Sequence, residues 1–306
     1  MARAEWAGIA GAYDRSFALL CAGPIPALLD RLGEPIAEGV AEGVDGAGHV
    51  GRLSGDVLGA RDRTRLLDAG TGTGRVAVAA AERGWAVDAF DAEPSMIEYA
   101  AAHRPRNRSE GQVVPVGSAT GIRYAVAALP AIPYPDGAFD AVVANFCLNH
   151  IDDPRDGVRE LARVTRAGGR IAATVWPWGR PSPLAQLWRG IQEETGTSSG
   201  PSRLPANSDF ERSEAGLAGL LESGGFVDAA AATFAFDFAV DPGDLWAGVE
   251  AGIALIGYAY EAASAAQRTA MSTAYERRLP NIVGHDGRAH FAMTAILAAA
   301  VKPTAA

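Results

Sequence analysis

Apolar and polar positions follow two alternating patterns through the middle of the chain. Short, almost continuous apolar runs around 66–67, at 86–91 and from 139 onward end in polar residues, and helix-forming segments follow each of them. Continuous apolar runs of this length are typical of strands that are buried on both faces of a parallel sheet. The alternation of such runs with helices predicts an α/β fold.

Two segments compete for the third strand of this sheet, 112–116 and 122–128. The turn-like residues at 132–140 lead directly into the next strand, and counting back from them favours 122–128. In that interpretation 104–121 is an extra polar loop. The other segment is kept as the alternative.

The second half of the chain predicts helices at about 184–194, 213–221, 245–260 and 265–279, with strands at about 226–240 and 289–301. Together with two short helices within 5–32, the pattern predicts a doubly wound, Rossmann-like sheet of seven strands. The order of strand, helices and strand at the end predicts an antiparallel last strand. Helices at 5–32, about 180–195 and 245–280 are expected to form a cap.

The amino-acid composition excludes several classes of function but adds little to the predicted fold. The 306 residues are 48% hydrophobic and carry a formal charge of −9, with two cysteines. No apolar run is long enough to span a bilayer, and the acidic balance opposes nucleic acid and anionic membranes. Two cysteines provide no disulfide framework, which suits a reducing cytoplasm. We therefore expect a cytoplasmic protein with a small-molecule substrate; a homodimer is possible.

The candidate chemistry begins where the first strand ends. Asp68, Gly70, Gly72 and Gly74 alternate with other residues, and a good helix former follows. Glycines allow a tight turn and close approach of a ligand, and the helix N-terminus offers free N–H groups to it. This is not the dinucleotide fingerprint G-x-G-x-x-G, because Arg75 stands where that pattern needs glycine.

The next strand ends in an acid, Asp91, which can hydrogen-bond both hydroxyls of a ribose lying across the strand ends. The order of glycine turn, second strand and Asp91 resembles motif I and the strand that follows it in class I S-adenosylmethionine-dependent methyltransferases. The resemblance covers about 64–176 by motif and 210–301 by pattern only. It implies S-adenosyl-L-methionine as cofactor and methyl transfer to an oxygen, nitrogen or carbon atom of a small acceptor, with secondary metabolism suggested by analogy.

The resemblance also implies the residues of the cofactor site. Tyr13 is expected to close the pocket, and Asn145 to contact the methionine end of the cofactor through its backbone. In the family an acid often contacts the adenine; the preferred strand places Ala128 or Leu129 there, and the other register places Ser118. The full implied set is Tyr13, Asp68, Ala69, Gly70, Thr71, Gly72, Gly74, Asp91, Ala92, Met96, Ala128, Leu129, Asn145 and Phe146.

His150, at the tip of the fourth strand, is the candidate general base, and a purely structural role is the alternative. No metal is expected, because His285 and His290 are five residues apart around a glycine turn. Cys147 has no argued activating partner and is interpreted as a small apolar residue. Trp178 and Trp246 are equally compatible with a pocket and with the core.

The predicted organisation has four parts: N-terminal cap helices at 1–33, a flexible insertion at 34–63, a cofactor-binding core at 64–176, and the rest of the sheet with its cap helices at 177–306. Two other functions stay open. One is a methyltransferase-like protein that binds the cofactor for non-methylating chemistry such as cyclisation. The other is a nicotinamide-dependent Rossmann oxidoreductase, which Arg75 disfavours.

Overall fold

The computed structural model describes residues 6–35, 64–103, 122–179, 181–199 and 209–304. Within them lies a seven-stranded sheet of order β3-β2-β1-β4-β5-β7-β6. Its strands are β1 (Arg65–Ala69), β2 (Ala86–Asp91), β3 (Ile122–Val126), β4 (Phe139–Asn145), β5 (Thr165–Val175), β6 (Val227–Val240) and β7 (Ala289–Val301). Only β7 runs antiparallel to its neighbours. The predicted doubly wound sheet with an antiparallel last strand is confirmed.

Helices flank the sheet on both faces and gather at one end of it. They are α1 (Ala10–Arg15), α2 (Phe17–Ala22), α3 (Ile25–Asp30), α4 (Arg75–Glu82), α5 (Pro94–His103), α6 (Pro154–Val164), α7 (Pro183–Thr195), α8 (Glu214–Ser223), α9 (Pro242–Glu250), α10 (Ala254–Ala262) and α11 (Ala265–Glu276), with short 3₁₀ helices at Leu148–His150 and Leu279–Asn281. Within the described ranges, no helix is both long enough and apolar enough to cross a membrane.

The central strands are buried on both faces, as their apolar runs predicted. Leu67 and Val142 belong to a core shared with α6 and α8, whereas Leu66 and Val143 belong to a separate core shared with α3 and α4. Successive side chains of a strand point to opposite faces, so neighbouring residues supply different cores. This two-sided burial leaves the carboxyl ends of the strands as the place for a ligand.

The preferred third strand is confirmed. β3 lies parallel to β2, and Val126 pairs with Asp91 at the tip of the sheet. The competing segment 112–116 and Ser118 lie outside the described residues, as does 36–63 of the predicted insertion.

Two helix predictions are wrong in number. The N-terminal region forms three short helices rather than two, because Ser16 leaves helical geometry with φ −118° and ψ −95°. The predicted helix at 245–260 is two helices, α9 and α10, because the chain turns at Gly252 with φ 77°. A Cβ on Gly257 would lie 2.3 Å from the Gly252 carbonyl carbon, so the two helices meet at a backbone contact that requires glycine.

The cap helices share one apolar cluster that is separate from the two cores of the sheet. Phe17 of α2, Trp188 of α7, Val249 of α9 and Met271 of α11 are buried in it together with the ends of β6 and β7. The N-terminal helices therefore pack with the cap as well as with the cofactor half of the molecule. The division of the chain into four parts stays a prediction.

Candidate active site

The turn after β1 is held in left-handed backbone conformations. Gly70, Gly72 and Gly74 have φ values of 68°, 54° and 89°. Such values strain any residue that carries a Cβ. A Cβ on Gly70 would also lie 2.6 Å from the Cβ of Cys147, so this position is closed by packing as well as by backbone geometry. The turn presents its backbone towards the strand ends, with α4 beginning directly behind it.

Asp68 lies at the base of this turn and is almost completely buried, at 1% exposure. One carboxylate oxygen, Oδ2, accepts a hydrogen bond from the Thr71 hydroxyl at 2.6 Å. The other, Oδ1, has no hydrogen-bond partner among the described residues. Burial raises the pKa of Asp68 to about 7, and the nearby carboxylate of Asp91 contributes. Ala69, next in the chain, is fully buried.

Asp91 joins the tip of β2 to the turn. Its Oδ2 accepts a hydrogen bond from the Gly72 N–H at 2.8 Å, and its Oδ1 accepts one from the Glu93 N–H at 3.0 Å. Burial raises the pKa of Asp91, and these backbone donors oppose the rise. A carboxylate has about four acceptor positions, so both oxygens can still accept from a further ligand hydroxyl.

The N-terminal helices cover the turn from above. A Cβ on Gly72 would lie 3.5 Å from the Tyr13 ring, so the ring lies directly over the turn. Burial raises the pKa of Tyr13, and its contact with Cys21 raises it further. The next residue, Asp14, pairs with the Arg75 guanidinium at 3.0 Å. The arginine that breaks the dinucleotide fingerprint therefore anchors the covering segment.

Asn145, at the end of β4, links the strand tips to the same segment. Its Nδ2 donates to the Cys21 carbonyl at 3.0 Å, and its Oδ1 accepts from the Thr174 hydroxyl at 2.6 Å. Phe146 follows with φ 52°, and its ring stacks on Trp176 with 4.0 Å between centroids. Thus the side chain of Asn145 is used within the protein, and the contact of its backbone with the cofactor stays a prediction.

The remaining predicted cofactor residues are arranged around β2 and β3. Ala92 is half-buried beside Asp91, and Met96 is buried in α5 at 2% exposure. Ala128 forms a bridge with Ala131 just after β3, and Leu129 packs against the main core. Their contacts with a cofactor stay predictions.

Val126 was not among the predicted residues, yet it lies at the strand tip paired with Asp91 and is 49% exposed. An exposed β-branched residue in this position can cover one face of a flat heterocycle. The apolar stretch of 122–128 contained this signal, but only the register shows which residue reaches the tip.

His150 ends the 3₁₀ helix that follows β4 and is exposed. Its ring meets Trp6 edge-to-face with 5.9 Å between centroids, and Trp6 meets Tyr13 in the same way at 5.3 Å. Desolvation and the Arg212 charge lower the pKa of His150 to about 4. The imidazole is therefore neutral at pH 7.

Burial makes both cysteines poor nucleophiles. It raises the pKa of Cys21 to about 11, and that of Cys147 well above its usual range. Across the described ranges, no group of three His, Cys, Asp or Glu side chains could hold a metal ion. His290 instead pairs with Asp286 at 2.9 Å on the surface.

These residues fit S-adenosylmethionine. The glycine turn provides a cradle that any Cβ would fill, and the buried Oδ1 of Asp68 is left without a partner beside it. Asp91 supplies a carboxylate for ribose hydroxyls, and the N-terminus of α4 faces the position of a carboxylate-bearing ligand. A cleft at this edge of the sheet is lined by the turn, Tyr13, Cys21 and Asn145.

Comparison with known proteins finds similarity in the part of the chain that carries most of this site. Residues 67–173 match the family model of the methyltransferase domain. Malonyl-[acyl-carrier protein] O-methyltransferase of Salmonella typhimurium is 31% identical over 143 residues, which are 47% of this chain and 51% of that protein. Demethylmenaquinone methyltransferase of Renibacterium salmoninarum is 30% identical over 120 residues, 39% of this chain and 44% of that protein.

Among solved structures, the YcgJ protein from Bacillus subtilis superposes with a TM-score of 0.49 at 18% identity, covering 79% of this chain and 93% of that one. At so low a TM-score the likeness adds nothing to the sheet topology. This chain spans about half the length of the curated relatives it matches. The match nevertheless covers the glycine turn, Asp91 and the strands that carry them. Residues 67–173 therefore match a methyltransferase domain, in agreement with the resemblance to class I S-adenosylmethionine-dependent methyltransferases.

Proposed function

We propose that this protein transfers a methyl group from S-adenosylmethionine to a small-molecule acceptor. The observation that carries the proposal is the convergence of the glycine turn and Asp91, joined by the 2.8 Å hydrogen bond from the Gly72 N–H. This places a ribose acceptor and the open turn backbone at one edge of the sheet. Tyr13 and Asn145 enclose the same edge.

When bound, the cofactor supplies a methyl group already activated by its sulfonium, so the protein mainly binds, orients and excludes water. Asp91 would hold the ribose, and the turn backbone would hold the methionine end. Tyr13, anchored through Asp14 and Arg75, would shield this end from solvent. Neutral His150 would accept a proton from an acceptor hydroxyl, where the acceptor has one.

The acceptor itself is a narrower proposal. One relative is named for malonyl-acyl carrier protein and the other for demethylmenaquinone, which supports a small-molecule or carrier-bound acceptor without choosing between the two. Secondary metabolism, a cytoplasmic location and a homodimer stay predictions.

Calorimetric titration tests the cofactor first. We expect S-adenosylmethionine and S-adenosylhomocysteine to bind with micromolar affinity and NADH not to bind. Binding of neither sulfur compound would contradict the proposal, and binding of NADH instead would support an oxidoreductase. The protein is then incubated with S-adenosylmethionine and a panel of candidate acceptors. Mass spectrometry should show an acceptor that gains the mass of one methyl group. An isomerised acceptor without that gain would support cyclisation.

A further inference from the structure

Trp178 is a surface residue, although the sequence allowed it equally to be part of the core. It follows β5 by three positions and is 63% exposed. Indole has the largest apolar surface of any side chain, and isolated exposed apolar residues alone need no explanation. The position of this one, beside the carboxyl ends of β4 and β5, is where ligands bind in such sheets.

The indole is held in place by its neighbours. The backbone N–H of Trp178 donates to the Arg212 carbonyl oxygen at 3.0 Å. The Arg212 guanidinium carbon lies 5.2 Å from the ring centroid, within the range of a cation–π contact. Arg212 is fixed in turn by Asp209, at 3.3 Å. The guanidinium covers one side of the ring, and the high exposure shows that the ring as a whole stays open to solvent.

Two observations connect this indole with the cofactor turn. Trp176, two residues before Trp178, stacks on Phe146 at the tip of β4, with 4.0 Å between the ring centroids. The charge of Arg212 acts on His150, whose ring meets Trp6 edge-to-face. Trp6 in turn touches Tyr13, which lies over the glycine turn. The open indole therefore follows the strand tip beside Asn145, and a row of rings from His150 through Trp6 to Tyr13 covers the cofactor position. An acceptor lying along this row would reach from Trp178 towards the methyl group.

We propose, on the basis of the proposed methyl transfer, that the open surface of Trp178 is a stacking platform that selects planar, conjugated acceptors. A ring held by Arg212 and by a backbone hydrogen bond loses little freedom when a second ring stacks on it. A saturated acceptor of the same size has no π-face and gains only contact area. The platform thus distinguishes acceptors by flatness.

The test compares 2-naphthol with decahydro-2-naphthol, which have the same carbon skeleton and hydroxyl but differ in planarity. Each is titrated by calorimetry into the protein with an excess of S-adenosylhomocysteine. The wild type is expected to bind 2-naphthol more tightly. Trp178→Ala should weaken 2-naphthol binding roughly three- to tenfold and leave decahydro-2-naphthol unchanged, as expected for one aromatic pair. Trp178→Phe should retain most of the preference.

Leu255→Ala is the matched control, since Leu255 is similarly exposed, at 57%, on α10. It should change neither affinity. Equal binding of the two probes by the wild type, or unchanged 2-naphthol binding by Trp178→Ala, would overturn the platform. Binding of S-adenosylhomocysteine is measured separately in every variant. If the wild type does not bind S-adenosylhomocysteine, the proposed function is contradicted. If it binds this compound normally but does not prefer 2-naphthol, only the stacking role of Trp178 is contradicted.

Discussion

The Asp91 carboxylate and the Gly72 backbone N–H lie 2.8 Å apart, so the acid at the tip of β2 fixes the shape of the turn after β1. A second backbone donor, Glu93 N–H, holds the other carboxylate oxygen at 3.0 Å. The acid therefore has two roles at once. It positions the turn in the free protein, and its spare lone pairs are available to a ribose.

Replacing Asp91 separates these roles. Asp91→Ala removes the charge-assisted acceptor and leaves the Gly72 N–H without its partner, so affinity for S-adenosylhomocysteine should fall by roughly 1–3 kcal/mol. Asp91→Asn keeps an amide oxygen for one backbone donor and should lose affinity with less loss of thermal stability. Calorimetry measures the affinity for S-adenosylhomocysteine, and thermal unfolding measures the stability of each variant. Glu98→Ala, an exposed change on α5, is the control. Wild-type affinity in Asp91→Ala would contradict the ribose role.

Gly70→Ala should destabilise the protein for two separable reasons. The left-handed φ of 68° costs about 1–2 kcal/mol for alanine, and the new Cβ would meet the Cys147 Cβ. Such overpacking typically costs about 1–3 kcal/mol. Cys147→Gly removes the second Cβ. The double variant should therefore regain the stability lost to the clash but not the stability lost to backbone strain. Free energies of unfolding from a double-mutant cycle measure this coupling. Additive effects would show that the packing at this contact gives way.

Asp68 should make the stability of the free protein depend on pH. Its pKa is about 7 when folded against 3.8 as the ordinary value, so the folded state holds the proton more tightly. This contribution is complete below about pH 4 and is lost as the pH rises towards 7. A shift of this size corresponds to roughly 4 kcal/mol at most.

Asp68→Asn should remove this dependence while keeping an oxygen for the Thr71 hydroxyl. The free energy of unfolding of the variant relative to wild type should therefore rise between pH 4 and pH 7, as measured by denaturant titration across that range. Asp237→Asn, an exposed change on β6, should show no such rise. A flat difference for Asp68→Asn would mean that folding leaves the pKa of Asp68 unchanged, which would contradict this prediction.

Sequence pattern predicted the strands of the sheet, because continuous apolar runs and a glycine turn are local features. It also placed Asp91 at the ligand edge, since a strand that ends in an acid needs no tertiary information. The break at Gly252 was missed because it depends on the backbone of α10 packing onto it through Gly257. That contact joins residues whose own helix propensity gives no warning.

The exposure of Trp178 was equally inaccessible, because it depends on which neighbours the fold brings to the ring. Arg212, which stacks on it, belongs to a distant part of the sequence. Val126 was missed for a related reason: its stretch was identified as a strand, but only the pairing with Asp91 shows that it ends the strand. Site residues on strand tips depend on register, and register is a long-range property.

Lys302 is the only lysine in the chain, and it caps α6. Its ammonium donates to the carbonyl oxygens of Ala162 and Thr165, each at 2.7 Å. A cation at the C-terminus of a helix satisfies free carbonyls and the helix dipole. Lys302→Met keeps the alkyl stem and should lower the free energy of unfolding by about 2 kcal/mol, while Lys302→Arg should lose less. Equal denaturant midpoints for Lys302→Met and wild type would show that water replaces the ammonium at no cost.

His150 decides whether the enzyme uses a general base. With its pKa lowered to about 4, the imidazole is neutral through the physiological range and can accept a proton, although as a weaker base than free histidine. If it is the base, His150→Ala should reduce turnover of a hydroxyl acceptor by ~10²-fold or more. The wild-type rate should stay level above about pH 5 and fall as the imidazole becomes protonated.

The two roles of His150 predict different pH profiles as well as different rates. His150→Gln retains a polar side chain of similar reach but cannot take the proton. If His150 is the base, this variant should be as slow as His150→Ala, and its rate should not fall at acidic pH. If His150 only lines the acceptor pocket, His150→Gln should have near-normal turnover, and His150→Ala should show a moderate rise in the KM for the acceptor. Affinity for S-adenosylhomocysteine should be unchanged in both, because the described contacts of His150 are with Trp6 and the Arg212 charge rather than with the glycine turn.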